Sequence, residues 1–179
     1  MVKWMSKIVL SIVCLLFVAG CTPVQRSHYQ TTSMPRVDWP VDEYTKIASR
    51  TGQNHVSGQC FLKTRGGDVK TCAGNKVMLN PISSYSTQFV KAVIKQNYGV
   101  GVELGLVDNR IYNYLVEVIA DGDGRFSFYN VPDGDYYIYS TVTWEAGTGY
   151  NGANQLQGGW VFKEILVDSK SRNEHILTK

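Results

Sequence analysis

The feature that most constrains the fold is a stretch of strict side-chain alternation over residues 125–144. Phe126 and Phe128 fall on one face of a first run, and Tyr136 and Ile138 fall on one face of the next. A period of two is typical of β-strands, because successive side chains point to opposite faces of the sheet. Between the two runs lies Val-Pro-Asp-Gly, with Pro and Gly where a type I turn favours them. The stretch therefore predicts two strands joined by a turn.

Similar patterns elsewhere predict a mainly β chain with two helices. Pro40 and the acids after it indicate a short helix start, and Gly52 indicates its end. Apolar residues at helical spacing over 84–96 predict a helix inserted among strands. About seven short strands with frequent turn signals favour an antiparallel Greek-key β-sandwich. The other predicted strands are 56–62, 76–79, 100–107, 112–120, 160–167 and 175–178.

Residues 121–138 also carry a family resemblance. They read Asp-Gly-Asp-Gly-Arg-Phe-Ser-Phe-Tyr-Asn-Val-Pro-Asp-Gly-Asp-Tyr-Tyr-Ile, a Gly-x-Phe-x-Phe strand, a Val-Pro-x-Gly turn and a Tyr-rich strand. This pattern resembles the carboxypeptidase regulatory-like domain, a transthyretin-like (prealbumin-like) β-sandwich, and residues 58–60 and 73–79 fit its earlier strands. The resemblance implies a module that is usually non-catalytic and serves as a binding, spacer or accessory unit.

The first twenty residues have the composition of an export signal. Lys3 and Lys7 precede an eleven-residue, almost wholly apolar run at 8–18. A permanent membrane helix needs about 20 apolar residues, so the run is too short to span a bilayer. We predict a secretory signal peptide over residues 1–20. The alternative, a buried N-terminal helix, is disfavoured because the run has no polar face to turn toward water.

The end of this segment predicts a lipid anchor. Val18-Ala19-Gly20-Cys21 resembles the lipobox of bacterial lipoproteins. The resemblance implies cleavage after Gly20, a diacylglyceryl thioether on Cys21 and acylation of the new amine. Thr22 stands where Asp would favour inner-membrane retention in Gram-negative bacteria. We therefore expect an outer-membrane protein, anchored by several acyl chains, with its domain facing the periplasm or the cell surface.

The charge of the mature chain argues against a nucleic-acid partner. Without residues 1–20 the chain has 159 residues, with 16 basic against 15 acidic side chains. Dedicated nucleic-acid binders usually carry a strong basic surplus on one face. The length suits one domain, and we predict a lipidated flexible tether with a short helix over 21–54 and the β-sandwich over 55–179.

Two cysteines remain after processing and lipidation. Cys60 and Cys72 form an even pair in an oxidising compartment, and two glycines between them let the chain fold back. We predict a disulfide that contributes about 3 kcal/mol by closing this loop. Two buried free thiols remain the alternative.

The chain departs from the resembled pattern in two places. One is a long insertion over residues 81–117, and the other is a Gly-rich loop over 146–159. Loops of Gly, Asn, Gln and aromatic residues suit adaptable recognition of a glycan or a protein. The alternative is a long hairpin loop whose tryptophans pack into the end of the sandwich. The candidate binding residues are Trp144, Tyr150, Asn151, Asn154, Gln157 and Trp160.

These observations predict a non-catalytic protein that binds or spaces envelope components. An accessory subunit of an envelope complex and an exclusion factor are narrower alternatives, and a cell-wall hydrolase is a weaker one. No acid/base pair stands out, and the three histidines lack ligand spacing. The Asp-x-Asp-Gly at residues 121–124 has Pro where a calcium loop needs Glu, so it predicts a hairpin turn. We expect no metal and no cofactor beyond the covalent lipid on Cys21.

Overall fold

A computed structural model describes residues 31–97, 101–147 and 154–179. The predicted signal peptide 1–20 and the predicted lipid site Cys21 lie outside the described residues. So do Tyr150 and Asn151 of the candidate binding loop.

The described residues form ten strands, two α-helices and a 3-10 helix at Asn109–Asn113. A hydrogen bond joins the first turns of the two α-helices: the Ser84 backbone N–H donates to Glu43 Oε2 at 2.6 Å. In chain order the elements are β1 (Thr31–Met34), α1 (Val41–Ala48), β2 (Asn54–Lys63), β3 (Val69–Thr71), β4 (Lys76–Pro81), α2 (Ser84–Asn97), β5 (Gly101–Leu104), β6 (Val116–Ile119), β7 (Arg125–Val131), β8 (Gly134–Gly147), β9 (Asn154–Val167) and β10 (Glu174–Leu177).

The strands form two main sheets. In the first, β2 pairs antiparallel with β3 and with β7, and parallel with β10. In the second, the antiparallel order is β6-β4-β8-β9. The parallel pairing of β10 arises because the chain crosses from one sheet to the other after β9. A separate parallel pair joins β1 and β5.

The main core lies between the two sheets. The first sheet contributes Val56 and Phe128, and the second contributes Leu79, Ile138 and Val161, all almost fully buried. Every second residue of these strands points into the core, which explains the period of two in the sequence. The prediction of a mainly β sandwich with a short N-terminal helix and one inserted helix is confirmed.

A second apolar layer covers the outer face of the second sheet. Tyr137 and Tyr139 of β8 point away from the main core and are buried against Val90 of α2. The strand is thus covered on both faces, and this accounts for the nearly continuous aromatic run in its sequence. The inserted helix is the element that covers it.

Part of the predicted tether is folded. Tyr44 of α1 packs against Tyr85 of α2, and Trp39 stacks on Tyr44 with 4.0 Å between ring centroids. The Tyr44 hydroxyl and Ser83 Oγ form a buried hydrogen bond of 2.9 Å. The segment from Trp39 onward is therefore part of the packed body.

The strands β8 and β9 extend further than the sequence pattern indicated. The Gly-rich loop expected over residues 146–159 is instead largely a β-ribbon, with β8 continuing to Gly147 and β9 beginning at Asn154. Cross-strand hydrogen bonding overrides the low strand propensity of the glycines. Gly158 has a positive φ of 100°, and a Cβ there would overlap the Val142 carbonyl oxygen, so the close approach of the strands requires glycine.

Candidate functional site

The structure separates the described members of the predicted binding loop. Trp144 and Gln157 are directly opposite each other on β8 and β9, so they share one face of the ribbon. They line an open groove of about 610 Å³ together with the exposed side chains of Lys63, Arg65 and Lys179. Trp144 is half-buried and also packs against the main core.

Trp160 and Asn154 lie elsewhere. Trp160 is opposite Thr141 on the other face of the ribbon, where its ring is perpendicular to that of Phe89 at 5.9 Å. Asn154 is exposed and donates a hydrogen bond of 3.1 Å to Glu145 Oε2. The four described residues therefore do not form a single binding surface.

Cys60 and Cys72 are joined in a disulfide, as the sequence predicted. Their Cα atoms are 5.7 Å apart, and both side chains are fully buried. The bridge links the end of the first sheet to the strand that folds back on it, where Leu62 pairs with Lys70. It is a structural bond within the core.

A small, mainly apolar cleft with a few polar groups lies between α2, the 3-10 helix and the outer face of the second sheet. We call it the aromatic cleft, and its volume is about 170 Å³. An engineered apolar cavity of about 150 Å³ holds one benzene molecule, so this cleft has room for one six-membered ring. The residues that give it its character are Arg36, Asn80, Tyr85, Phe89, Tyr112, Glu117 and Tyr139.

Two strand residues form the polar floor of the cleft. Asn80 of β4 and Tyr139 of β8 lie on the outer face of the sheet, each only 3% exposed. Asn80 Nδ2 donates a hydrogen bond of 3.3 Å to the Tyr139 hydroxyl. Asn80 Oδ1 is buried and has no hydrogen-bond partner among the described residues. A buried amide oxygen without a donor is costly, and it is well suited to accept a hydrogen bond from a ligand.

Tyr139 keeps its proton throughout the physiological range. Burial raises its pKa to about 12, while the hydrogen bond from Asn80 acts in the opposite direction. Because the hydroxyl oxygen accepts from Asn80, its hydrogen is available to donate. The floor thus offers one acceptor and one donor side by side.

Aromatic rings form the walls. Phe89 of α2 stands 5.4 Å from the Tyr139 ring, measured between centroids. Tyr85 is nearly fully buried, and its hydroxyl accepts a hydrogen bond of 2.7 Å from the Asp108 backbone N–H. Tyr112 is 60% exposed and lies at the mouth. Aromatic faces beside a few convergent polar groups are the usual composition of a small-molecule site.

Arg36 closes one side of the cleft. Its Cζ atom lies 4.3 Å from the Tyr85 ring centroid, in cation–π geometry. Gln88 fixes the backbone around it, since its Oε1 accepts from the Val37 N–H at 3.1 Å and its Nε2 donates to the Pro35 carbonyl at 2.6 Å. The backbone on both sides of Arg36 is therefore held by Gln88.

Among the described residues, Glu117 is the one carboxylate that lines the cleft. It forms an ion pair of 2.6 Å with Lys76 Nζ, and this hydrogen bond raises the pKa of the lysine. Hydrolysis of a glycosidic bond ordinarily uses two carboxyl groups flanking the bond. The cleft has the composition of a binding site and lacks this pair.

Metal binding and membrane spanning each require a recognisable arrangement of residues. Within the described ranges, no group of three or more His, Cys, Asp or Glu side chains is placed to hold a metal ion. In the same part of the chain, no helix is both long and apolar enough to cross a bilayer. The Asp121 carboxylate stabilises the turn at residues 121–124, because its Oδ1 accepts hydrogen bonds from the backbone N–H groups of Asp123 and Arg125.

Comparison with known proteins gives a likeness among solved structures. No family model matches the chain, and no curated protein matches it. Among solved structures, the chain is similar to a crystal structure from Pseudomonas aeruginosa described as a "putative carbohydrate binding protein". The two are 28% identical with a TM-score of 0.68, over 80% of this chain and 99% of that chain. The likeness extends over most of the β-rich fold.

The sequence reasoning missed the aromatic cleft. Asn80 ended a predicted strand, Arg36 fell in the predicted tether, and Tyr112 began another strand. One sequence signal could have indicated it. β8 has large apolar or aromatic residues on both faces, so another element had to pack over Tyr137 and Tyr139 on the outer face of the sheet.

Proposed function

We propose that this protein is a non-catalytic, glycan-binding lipoprotein of the outer membrane. The aromatic cleft would hold one sugar ring, and a lipid on Cys21 would anchor the domain to the membrane. The observation that carries the proposal is the pairing of aromatic walls with the buried, incompletely hydrogen-bonded Asn80.

Sugars suit this arrangement chemically. A pyranose has apolar C–H faces, which pack on aromatic rings such as Phe89 and Tyr112, and a rim of hydroxyls that both donate and accept. Asn80 Oδ1 would accept from one hydroxyl, and the Tyr139 hydroxyl would donate to a neighbouring one. Binding would then satisfy the floor groups, which the protein alone leaves partly unpaired.

The similar crystal structure adds independent support. That protein is described as a "putative carbohydrate binding protein", and its likeness covers most of both chains. The single lining carboxylate, already paired with Lys76, favours binding over hydrolysis.

A matched pair of tyrosine variants tests the cleft. Tyr112 and Tyr129 are 60% and 69% exposed, so neither substitution by Ala removes core packing. Tyr112 lines the cleft, whereas Tyr129 stacks on His55 at 4.6 Å and is not among the cleft residues. Full-length protein in mild detergent is applied to an array of envelope glycans and monosaccharides. We expect Tyr112→Ala to weaken binding at least about tenfold and Tyr129→Ala to leave it within about twofold. Equal loss in both variants, or no binding by the parent protein, would refute the proposal.

The anchoring part has its own test. In Cys21→Ser the sulfur nucleophile for lipid attachment is gone, so the protein should leave the membrane fraction and become extractable by high-salt washing. A control replaces Cys14, which the predicted cleavage removes with the signal peptide. Retention of Cys21→Ser in washed outer membranes would contradict a lipid anchor at this residue.

A further inference from the structure

We infer that the sugar bound in the aromatic cleft is acidic, a uronic acid whose carboxylate meets Arg36. The inference rests on the proposed glycan-binding function and names the class of sugar. It comes from the guanidinium of Arg36, which is positioned at the cleft and forms no ion pair with any acid among the described residues.

The Arg36 guanidinium is unsatisfied in the protein alone. Its Nε and Nη1 atoms are buried and have no hydrogen-bond acceptor among the described residues. Its neighbour is the face of Tyr85, which attracts a cation but accepts no strong hydrogen bond. The Arg36 side chain also lines the cleft. A half-buried cation without a counter-ion is unfavourable, and an anion in the cleft would compensate it.

The surrounding charges leave this cation uncompensated. Glu117 lines the same cleft, but its carboxylate is paired with Lys76 at 2.6 Å. Asp108 is paired with Arg110 through Nη2 and Oδ2 at 2.6 Å. Each of these acids is neutralised by its own base, so the cleft retains the single positive charge of Arg36.

The size of the cleft limits the form of the anion. Its volume of about 170 Å³ matches one six-membered ring, so the acid must be a small substituent on that ring. A uronic acid replaces the terminal CH₂OH of a hexose by a carboxylate and adds almost no bulk. The planar guanidinium of Arg36 is suited to donate hydrogen bonds to both carboxylate oxygens. The two hydrogen bonds with Gln88 hold the neighbouring backbone in place before the sugar binds.

Matched sugar pairs test the inference. Methyl glucoside, galactoside and mannoside are each compared with the corresponding uronate, by NMR titration of the full-length protein in mild detergent. In at least one pair, the uronate should bind about tenfold or more tightly than its neutral partner, as expected for a hydrogen bond to a charged group. Raising the ionic strength from about 0.01 M to 1 M should reduce that ratio, because salt screens the charge.

Three variants separate the charge of Arg36 from its structural contacts. Arg36→Met keeps the length of the side chain and its contact with Tyr85, and it should bring the acid-to-neutral affinity ratio close to one. Arg65→Met removes the same charge from an exposed side chain that lines the other groove and not the aromatic cleft, and it should keep the ratio of the parent protein. Arg36→Lys should retain part of the preference, since it keeps a cation at the cleft.

The outcomes distinguish the two proposals. If neutral and acidic sugars bind equally to the parent protein, the acidic-sugar inference is wrong and the glycan-binding function stands. If no member of any pair binds, the proposed function is wrong and the inference fails with it. A uronate preference that persists in Arg36→Met would place the carboxylate away from Arg36 and would also overturn the inference.

Discussion

Breaking the Cys60–Cys72 disulfide should lower the free energy of unfolding by about 3 kcal/mol. The bridge closes a loop whose ends are 12 residues apart in sequence. In the chain-entropy model, a cross-link over such a loop removes roughly 9–10 cal/mol/K from the unfolded ensemble, which is about 3 kcal/mol at 25 °C. For a chain of 150 residues or more this corresponds to a fall in Tm of about 6–12 °C.

Reducing the disulfide and replacing both cysteines should lower the free energy of unfolding by different amounts. Both cysteine side chains are fully buried, so Cys60→Ala/Cys72→Ala also removes packing volume and should cost more than 3 kcal/mol. Reduction of the parent protein keeps both sulfur atoms and isolates the effect of the bond. Urea unfolding with and without dithiothreitol measures this difference, with the double variant as a control that should not respond to the reductant.

One result would refute stabilisation of the domain by the Cys60–Cys72 loop closure. Mass analysis under non-reducing conditions first establishes whether the two thiols are oxidised. If they are, and complete reduction leaves the unfolding midpoint unchanged, then the loop closure does not stabilise the domain. The entropic argument would then be wrong for this protein.

Three other predictions concern packing and pH. Gly58→Ala should cost about 1–3 kcal/mol, because a Cβ there would overlap the His175 carbonyl oxygen and lie 2.5 Å from Phe126 Cζ. Gly122→Ala has nothing within 4 Å and serves as its control in urea unfolding; equal losses would contradict the overlap argument. Between about pH 10 and 12 the unfolded state releases the Tyr139 proton while the folded state keeps it, so stability should fall by about 2–3 kcal/mol as pH rises. Tyr139→Phe should remove that part of the slope, and an unchanged slope would count against it. Burial lowers the pKa of His175, so stability should decline as pH falls below about 6.5, and His175→Gln should flatten this decline in acid titrations followed by circular dichroism.

Elements with a regular side-chain period could be predicted from sequence. The alternation in β8 correctly divided Tyr136 and Ile138 from Tyr137 and Tyr139, which the structure places in different apolar clusters. The helix predicted over 84–96 from its apolar spacing is observed at Ser84–Asn97. In both cases a local pattern records directly which face is buried.

The short polar strands could not be predicted in this way. β1 reads Thr-Thr-Ser-Met and has no alternation of apolar residues, and β3 has three residues. Each exists because a partner supplies its hydrogen bonds, β5 for the first and β2 for the second. Strand pairing between distant segments is not encoded in either segment alone.

The aromatic cleft was hidden for a related reason. Its members come from separate parts of the chain: Arg36 follows β1, Asn80 is on β4, Phe89 is on α2, and Tyr139 is on β8. No spacing rule joins them, because the site forms only when α2 packs across the outer face of the sheet. The unpartnered atoms of Arg36 and Asn80 are likewise visible only once the fold places them away from their acceptors and donors.

The residues of the aromatic cleft come partly from the sandwich and partly from an addition to it. The sandwich itself supplies the floor, Asn80 and Tyr139. The walls, Tyr85, Phe89 and Tyr112, come from the insertion at residues 81–117, which departs from the resembled sequence pattern. Since a fold alone does not determine a function, the additions to it are where specificity is to be sought. The inserted helix thus does two things at once: it buries the outer face of β8, and it supplies walls beside the part of that face that forms the floor of the candidate site.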